Sequence, residues 1–237
     1  MRKFFINRVI LALTVVIVLA AVVTAAVALA TDSNPFLEIF RPHKGDPNIV
    51  LVVNGELIRG EVIRQASQLG LLYGTVTPPD FEVRQLAPDE AKLIAVRAVL
   101  RSAAAYTEAK YRGIQVSIEE AQRITDYQRS LVEKAKTDPE LSKTSQETLK
   151  AFKAMVKASG LSEEEWWKQQ LEKTRQVTYE TKLRHQVLGQ LPSDATNMQP
   201  MEYWERFVDG LVAKAKIEVR DKTLKPLVDQ ALAKVRD

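Results

Sequence analysis

An unbroken apolar run from Val9 to Ala30 opens the chain, interrupted only by Thr14 and Thr24. As a helix its 22 residues reach about 33 Å, enough to cross a hydrocarbon core. The run is apolar on every face and follows a basic start, which separates it from a buried core helix. Basic residues before it and a mixed sequence after it place the N-terminus in the cytoplasm and everything beyond Ala30 outside a bacterial-type membrane. Ala28-Leu29-Ala30 also forms a small-residue processing site, so the segment reads either as an anchor or as a signal peptide cleaved after Ala30. Residues 31–47 carry three prolines and no periodic pattern, and read as a linker.

Beyond the linker the pattern changes twice. Ile49–Val53 is a short, β-branched apolar run; Asn54-Gly55 and then Glu56-Leu57-Ile58 follow. Asn-Gly between two apolar runs predicts a hairpin, because both turn positions require positive φ. Helical spacing then takes over. A short helix is expected over 60–72, ending near Gly74, and Pro78-Pro79 should leave the next stretch open. Pro88 suits the first turn of a long helix running to Tyr111, with Gly113 as its stop. Apolar residues on most faces of that helix make it the expected centre of the core. Three S/T-x-x-E capping boxes follow: Ser117/Glu120, Thr144/Glu147 and Ser162/Glu165. They open helices that end at Asp138-Pro139, at Gly160 and, for the longest, near Leu188. Met201–Lys214 reads as a further helix with a Trp204, Phe207, Val208, Leu211 stripe. Ala215–Val219 alternates as a strand does, and the tail from Leu224 is an amphipathic helix. The expected class is mainly α with a small sheet made by the N-terminal hairpin and the C-terminal strand.

Charge narrows the partners. Arg2, Lys3 and Arg8 supply three of the four net positive charges, and residues 31–237 are close to balanced. A balanced, interspersed surface is a solvated one, which argues against nucleic acid. The chain has no cysteine, so disulfides, thiolate chemistry and a lipid-modified cysteine anchor are excluded. Neither His43 nor His185 has partners spaced for a metal or for a catalytic triad. No phosphate-binding glycine loop, nucleophile elbow or zinc-helix motif is present. No cofactor, metal or catalytic residue is therefore expected. Glu163, Glu164 and Glu165 at a helix start are explained by the helix dipole. Trp166 and Trp167 fit either a packed helix junction or a ligand-stacking surface.

The longest helix is apolar on two sides. Trp166, Trp167, Leu171 and Val177 are expected mainly to pack on the bundle. Tyr179, Leu183 and Val187 lie opposite. They either face a binding cradle or contact the helix around Trp204 and Phe207.

The order of these pieces resembles the N-terminal domain of SurA- and PrsA-type foldases over about residues 48–219. The matching stretches are Val53-Asn54-Gly55-Glu56-Leu57-Ile58 before a helix, Ala109-Lys110-Tyr111-Arg112-Gly113-Ile114-Gln115-Val116-Ser117-Ile118-Glu119-Glu120, Gly160-Leu161-Ser162-Glu163-Glu164-Glu165-Trp166, and Trp204 to Val219 through Phe207, Leu211, Ala215 and Ile217. The resemblance implies a last strand that returns to the first hairpin. It also implies a cofactor-free, chaperone-like protein, membrane-tethered or secreted, that holds unfolded or partly folded exported polypeptides. Tyr179, Leu183, Val187, Trp166 and Trp167 are its candidate client-binding residues. The chain departs from the family in lacking a parvulin segment, so prolyl isomerisation is not implied, and residues 221–237 form an extension. A membrane-anchored adaptor gripping one specific protein partner is the alternative.

Overall fold

A computed structural model describes residues 35–73, 75–77, 82–137, 143–190 and 199–236. The expected membrane-spanning or signal segment and Asp138-Pro139 lie outside these residues. Among the described residues no helix is long and apolar enough to cross a membrane.

In chain order the elements are α1 (Pro35–Glu38), β1 (Ile49–Val53), β2 (Glu56–Arg59), α2 (Gly60–Tyr73), β3 (Thr75–Thr77), β4 (Glu82–Arg84), α3 (Pro88–Tyr111), α4 (Ile118–Thr137), α5 (Lys143–Ser159), α6 (Glu163–Leu188), α7 (Pro200–Lys214), β5 (Ile217–Val219), a 3-10 turn (Lys222–Leu224) and α8 (Lys225–Arg236). The fold is mainly helical with a small antiparallel sheet, as expected. Two compact units divide it. One combines the stretch ending at Arg41 with Arg123–Lys168, and the other combines Pro42–Gln122 with Gln169–Asp237.

The larger unit is organised by the sheet β2-β1-β5. Asn54 and Gly55 take φ of 50° and 87°, the turn that two-residue hairpins need. Val53 thereby faces Glu56 and Leu51 faces Ile58. On the other edge of β1, Leu51 pairs with Val219 and Val53 with Ile217, so the strand expected to return from the C-terminus does so. Asn54 also ties the turn to that strand. Its backbone amide donates to the Lys216 carbonyl at 2.9 Å, and its side-chain oxygen accepts from the Lys216 amide at 2.8 Å.

Helix α3 lies across this sheet. Val96, Leu100 and Ala104 pack with Leu51 and Val53 in one core, to which Val212 of α7 and Leu224, Val228 and Ala231 also belong. The C-terminal segment, expected as a helical extension, is helical and packs into this core. The sequence pattern showed an amphipathic stripe but not the surface it covers. The stretch read as a linker has local order of its own. It contains α1 and the buried Asp46, whose carboxylate accepts from the Arg64 guanidinium at 2.8 and 2.9 Å and from the His43 amide at 2.7 Å. Burial raises the Asp46 pKa, and these donors outweigh that and hold it below the ordinary value. No periodicity marks this order, because it rests on single contacts, one of them to a residue 18 positions further on.

The stretch after α2 was expected to stay open. Instead β3 and β4 pair, with Val76 opposite Val83. Gly113 and Gly160 both take positive φ, as stops behind α3 and α5 should. The Ser162/Glu165 box forms completely: the Glu165 amide donates to Ser162 Oγ, and the Ser162 amide donates to the Glu165 carboxylate at 2.8 Å. In the Ser117/Glu120 box the Glu120 amide donates to Ser117 Oγ at 3.1 Å, while the Glu120 carboxylate turns to Lys182 Nζ at 2.6 Å. Helix α5 already includes Lys143, which places Thr144 within its first turn; the side chains of the expected Thr144/Glu147 box lie outside the described ones.

In the smaller unit Phe152 stacks on Trp167 with centroids 5.3 Å apart, and Phe40 meets Trp166 at 5.5 Å. These contacts place both tryptophans among packed aromatic rings.

Candidate functional site

Four of the expected site residues on α6 and its start are core residues by burial, and so is the fifth. Trp166 and Trp167 are each 7% exposed. Tyr179, Leu183 and Val187 cluster with Ala105, Ala109, Val116, Trp204 and Val208. Tyr179 meets Tyr106 edge-on, with centroids 5.2 Å apart. Of the two placements expected for Tyr179, Leu183 and Val187, the structure shows the contact with the helix that carries Trp204. The physical reason is that α7 returns alongside α3 and covers the face that the sequence leaves open. Val177, expected to pack, is 49% exposed instead.

The three acids at the start of α6 each have a structural partner. Glu163 accepts from Lys136 Nζ at 2.7 Å, Glu164 pairs with Arg129, and Glu165 closes its capping box. The Lys136 hydrogen bond, working against burial, lowers the Glu163 pKa. His185 is exposed in the last turn of α6. Among the described residues no His, Asp and Glu cluster is arranged to hold a metal ion.

The larger unit does contain an open concavity of about 380 Å³. Helix α3 supplies Ile94, Arg97, Ala98, Arg101 and Ser102, α6 supplies Glu180, and α7 supplies Trp204, Glu205 and Val208. The α3 residues fall at i, i+3, i+4, i+7 and i+8, one face of one helix. Trp204 and Val208 are 4% and 3% exposed and form an apolar floor, whereas Ile94 is 39% exposed. Arg101 joins α3 to α7: its guanidinium donates to Asp209 at 2.6 Å and pairs with Glu205. Arg97 adds a bond to Asp209 at 3.3 Å. These arginines brace α3 against α7, and Arg97 Nε is buried among the described residues without a hydrogen-bond partner.

Glu180 is held differently. Its carboxylate accepts from the Ser102 hydroxyl at 3.3 Å, a long bond. Burial raises the Glu180 pKa above the ordinary value, Ser102, Arg184 and Arg101 pull it back only in part, and Glu205 adds to the rise. The arrangement offers a small open trough with an apolar floor and a mostly charged wall, on which Glu180 is the carboxylate held by one long hydrogen bond. It suits reversible binding of a small apolar group or chain segment.

None of the groove-lining residues except Trp204 and Val208 was marked from sequence. The available signal was Arg97 and Arg101 at i, i+4 on a helix otherwise apolar on most faces, which identifies the one face of α3 left open. Compared with family models, curated proteins and solved structures, the chain matches none.

Proposed function

We propose that this chain is a non-enzymatic, chaperone-like protein of the SurA- and PrsA-type N-terminal kind, which holds unfolded polypeptides outside the membrane, tethered by or exported through residues 9–30. The observation that carries the reading is the groove between α3, α6 and α7, with its apolar floor and charged rim. A holding protein must accept many sequences, which calls for an open apolar trough with few directional contacts. The sheet pairing of β1 with β5 agrees with the fold that the sequence resemblance implies, and supports the reading by analogy alone.

The test is suppression of aggregation. The purified full chain in detergent is added to a reduced, unfolded client and light scattering is followed. Suppression at near-stoichiometric ratio is expected. Ala98→Trp should abolish most of it, because Ala98 is an exposed residue of the groove wall and a large ring there fills the trough. An adaptor for one folded partner would leave an unrelated client to aggregate. In a proline-limited refolding assay the same protein should give no catalytic acceleration.

The expected orientation has its own check. Protease added to intact spheroplasts should digest residues 31–237. Protection until the membrane is opened would reverse the topology.

A further inference from the structure

Within the groove the charges are unequally satisfied. Arg101 is committed to Glu205 and Asp209, and Arg97 leans on Asp209. Glu180 has the Ser102 hydroxyl at 3.3 Å and, among the described residues, no ion pair within 4 Å, although it lines the same trough as Ile94 and Trp204. Arg184, one turn along α6, acts on Glu180 through space. A partly exposed carboxylate beside an apolar floor, held by one long hydrogen bond, can accept a charge-assisted bond from a donor on a ligand.

We propose that Glu180 is the polar anchor of the groove, and that the groove selects apolar polypeptide segments carrying a lysine or arginine, whose cation pairs with Glu180 while neighbouring apolar side chains lie against Ile94, Trp204 and Val208. This inference rests on the holding reading above and adds a preference to it. The desolvation that raises the Glu180 pKa agrees with it, since a cation delivered by the ligand would relieve that penalty. Two carboxylates, Glu205 and Asp209, also face this region, but Arg101 and Arg97 already pair with them.

The experiment uses the full chain in detergent and three fluorescein-labelled nonapeptides. Each alternates Leu and Ser around a central residue that is Lys, Gln or Glu. Fluorescence anisotropy should show the Lys peptide binding about tenfold more tightly than the Gln peptide, the scale of a charge-assisted hydrogen bond, with the Glu peptide weakest. Glu180→Gln should erase the gap between the Lys and Gln peptides, and Glu180→Lys should invert the order. Lowering the pH through the raised Glu180 value should shrink the gap in the native chain and leave Glu180→Gln unmoved. Folding is checked by the melting temperature, which Glu180→Gln should not lower, because burial already disfavours the charge it removes. Equal binding of all three peptides, untouched by Glu180→Gln, would overturn the anchor and leave the holding reading standing. Binding of none would overturn both.

Discussion

Removing residues 215–237 is expected to unfold the larger unit, not merely shorten it. The segment carries β5, which supplies one of the two neighbours of β1 through Leu51↔Val219 and Val53↔Ile217. It also carries Leu224, Val228 and Ala231, which are 4%, 2% and 1% exposed. Fully burying one such Leu or Val is worth about 1.5–3 kcal/mol, and a domain of this size retains only about 5–15 kcal/mol of net stability. The exposed edge of β1 and the uncovered face of α3 add to the loss. Hydrogen exchange of Val50–Val53 provides the reading: protection in the full chain should vanish in the truncated one. A shorter deletion of residues 221–237 separates the two contributions. It keeps the strand and removes the helix, so it should lower the melting temperature while leaving partial protection of β1. Undiminished protection after the longer deletion would show that β1 does not depend on its C-terminal partner.

Local signals in the sequence were read correctly where one short stretch determines its own conformation. Asn54-Gly55 demands positive φ at two successive positions, and Ser162 with Glu165 satisfies donors only a few bonds apart. Neither depends on the rest of the chain. The pairing of Ile217 and Val219 with β1 was legible for another reason: a lone alternating strand needs a mate, and the hairpin was the available one. What escaped was order without periodicity. Asp46 is buried by Arg64, 18 residues further on, inside a proline-containing stretch. The pairing of β3 with β4 likewise rests on strands of three residues each. The groove was missed because its members come from three helices. Arg97, Arg101 and Glu180 each look like an ordinary solvated charge until tertiary packing brings α3, α6 and α7 together. The same blindness applied to α6, whose two apolar sides gave no indication of which neighbour would cover which.

The second large effect concerns that helix. Changing Tyr179 and Leu183 together to Ser should lower stability by about 5–8 kcal/mol, since large-to-small core changes cost about 2–5 kcal/mol each. Leu183 is 0% exposed, and its replacement leaves a polar hydroxyl among Ala105, Val116 and Trp204 with a void beside it. Tyr179 is 8% exposed, and its ring stands edge-on to Tyr106 at 88°. Losing the ring removes both buried area and that aromatic pair. Thermal denaturation of the full chain measures the sum. Tyr179→Phe keeps the ring, so it should cost less than about 1 kcal/mol and shows whether packing is the property that matters. A client-facing role would give the opposite pattern, with binding lost and the melting temperature nearly unchanged in the double variant. The burial of this face under α7 is the reason to expect the stability loss. Any weakening of client binding should then follow from the groove losing its floor, because Trp204 and Val208 belong both to this cluster and to the groove.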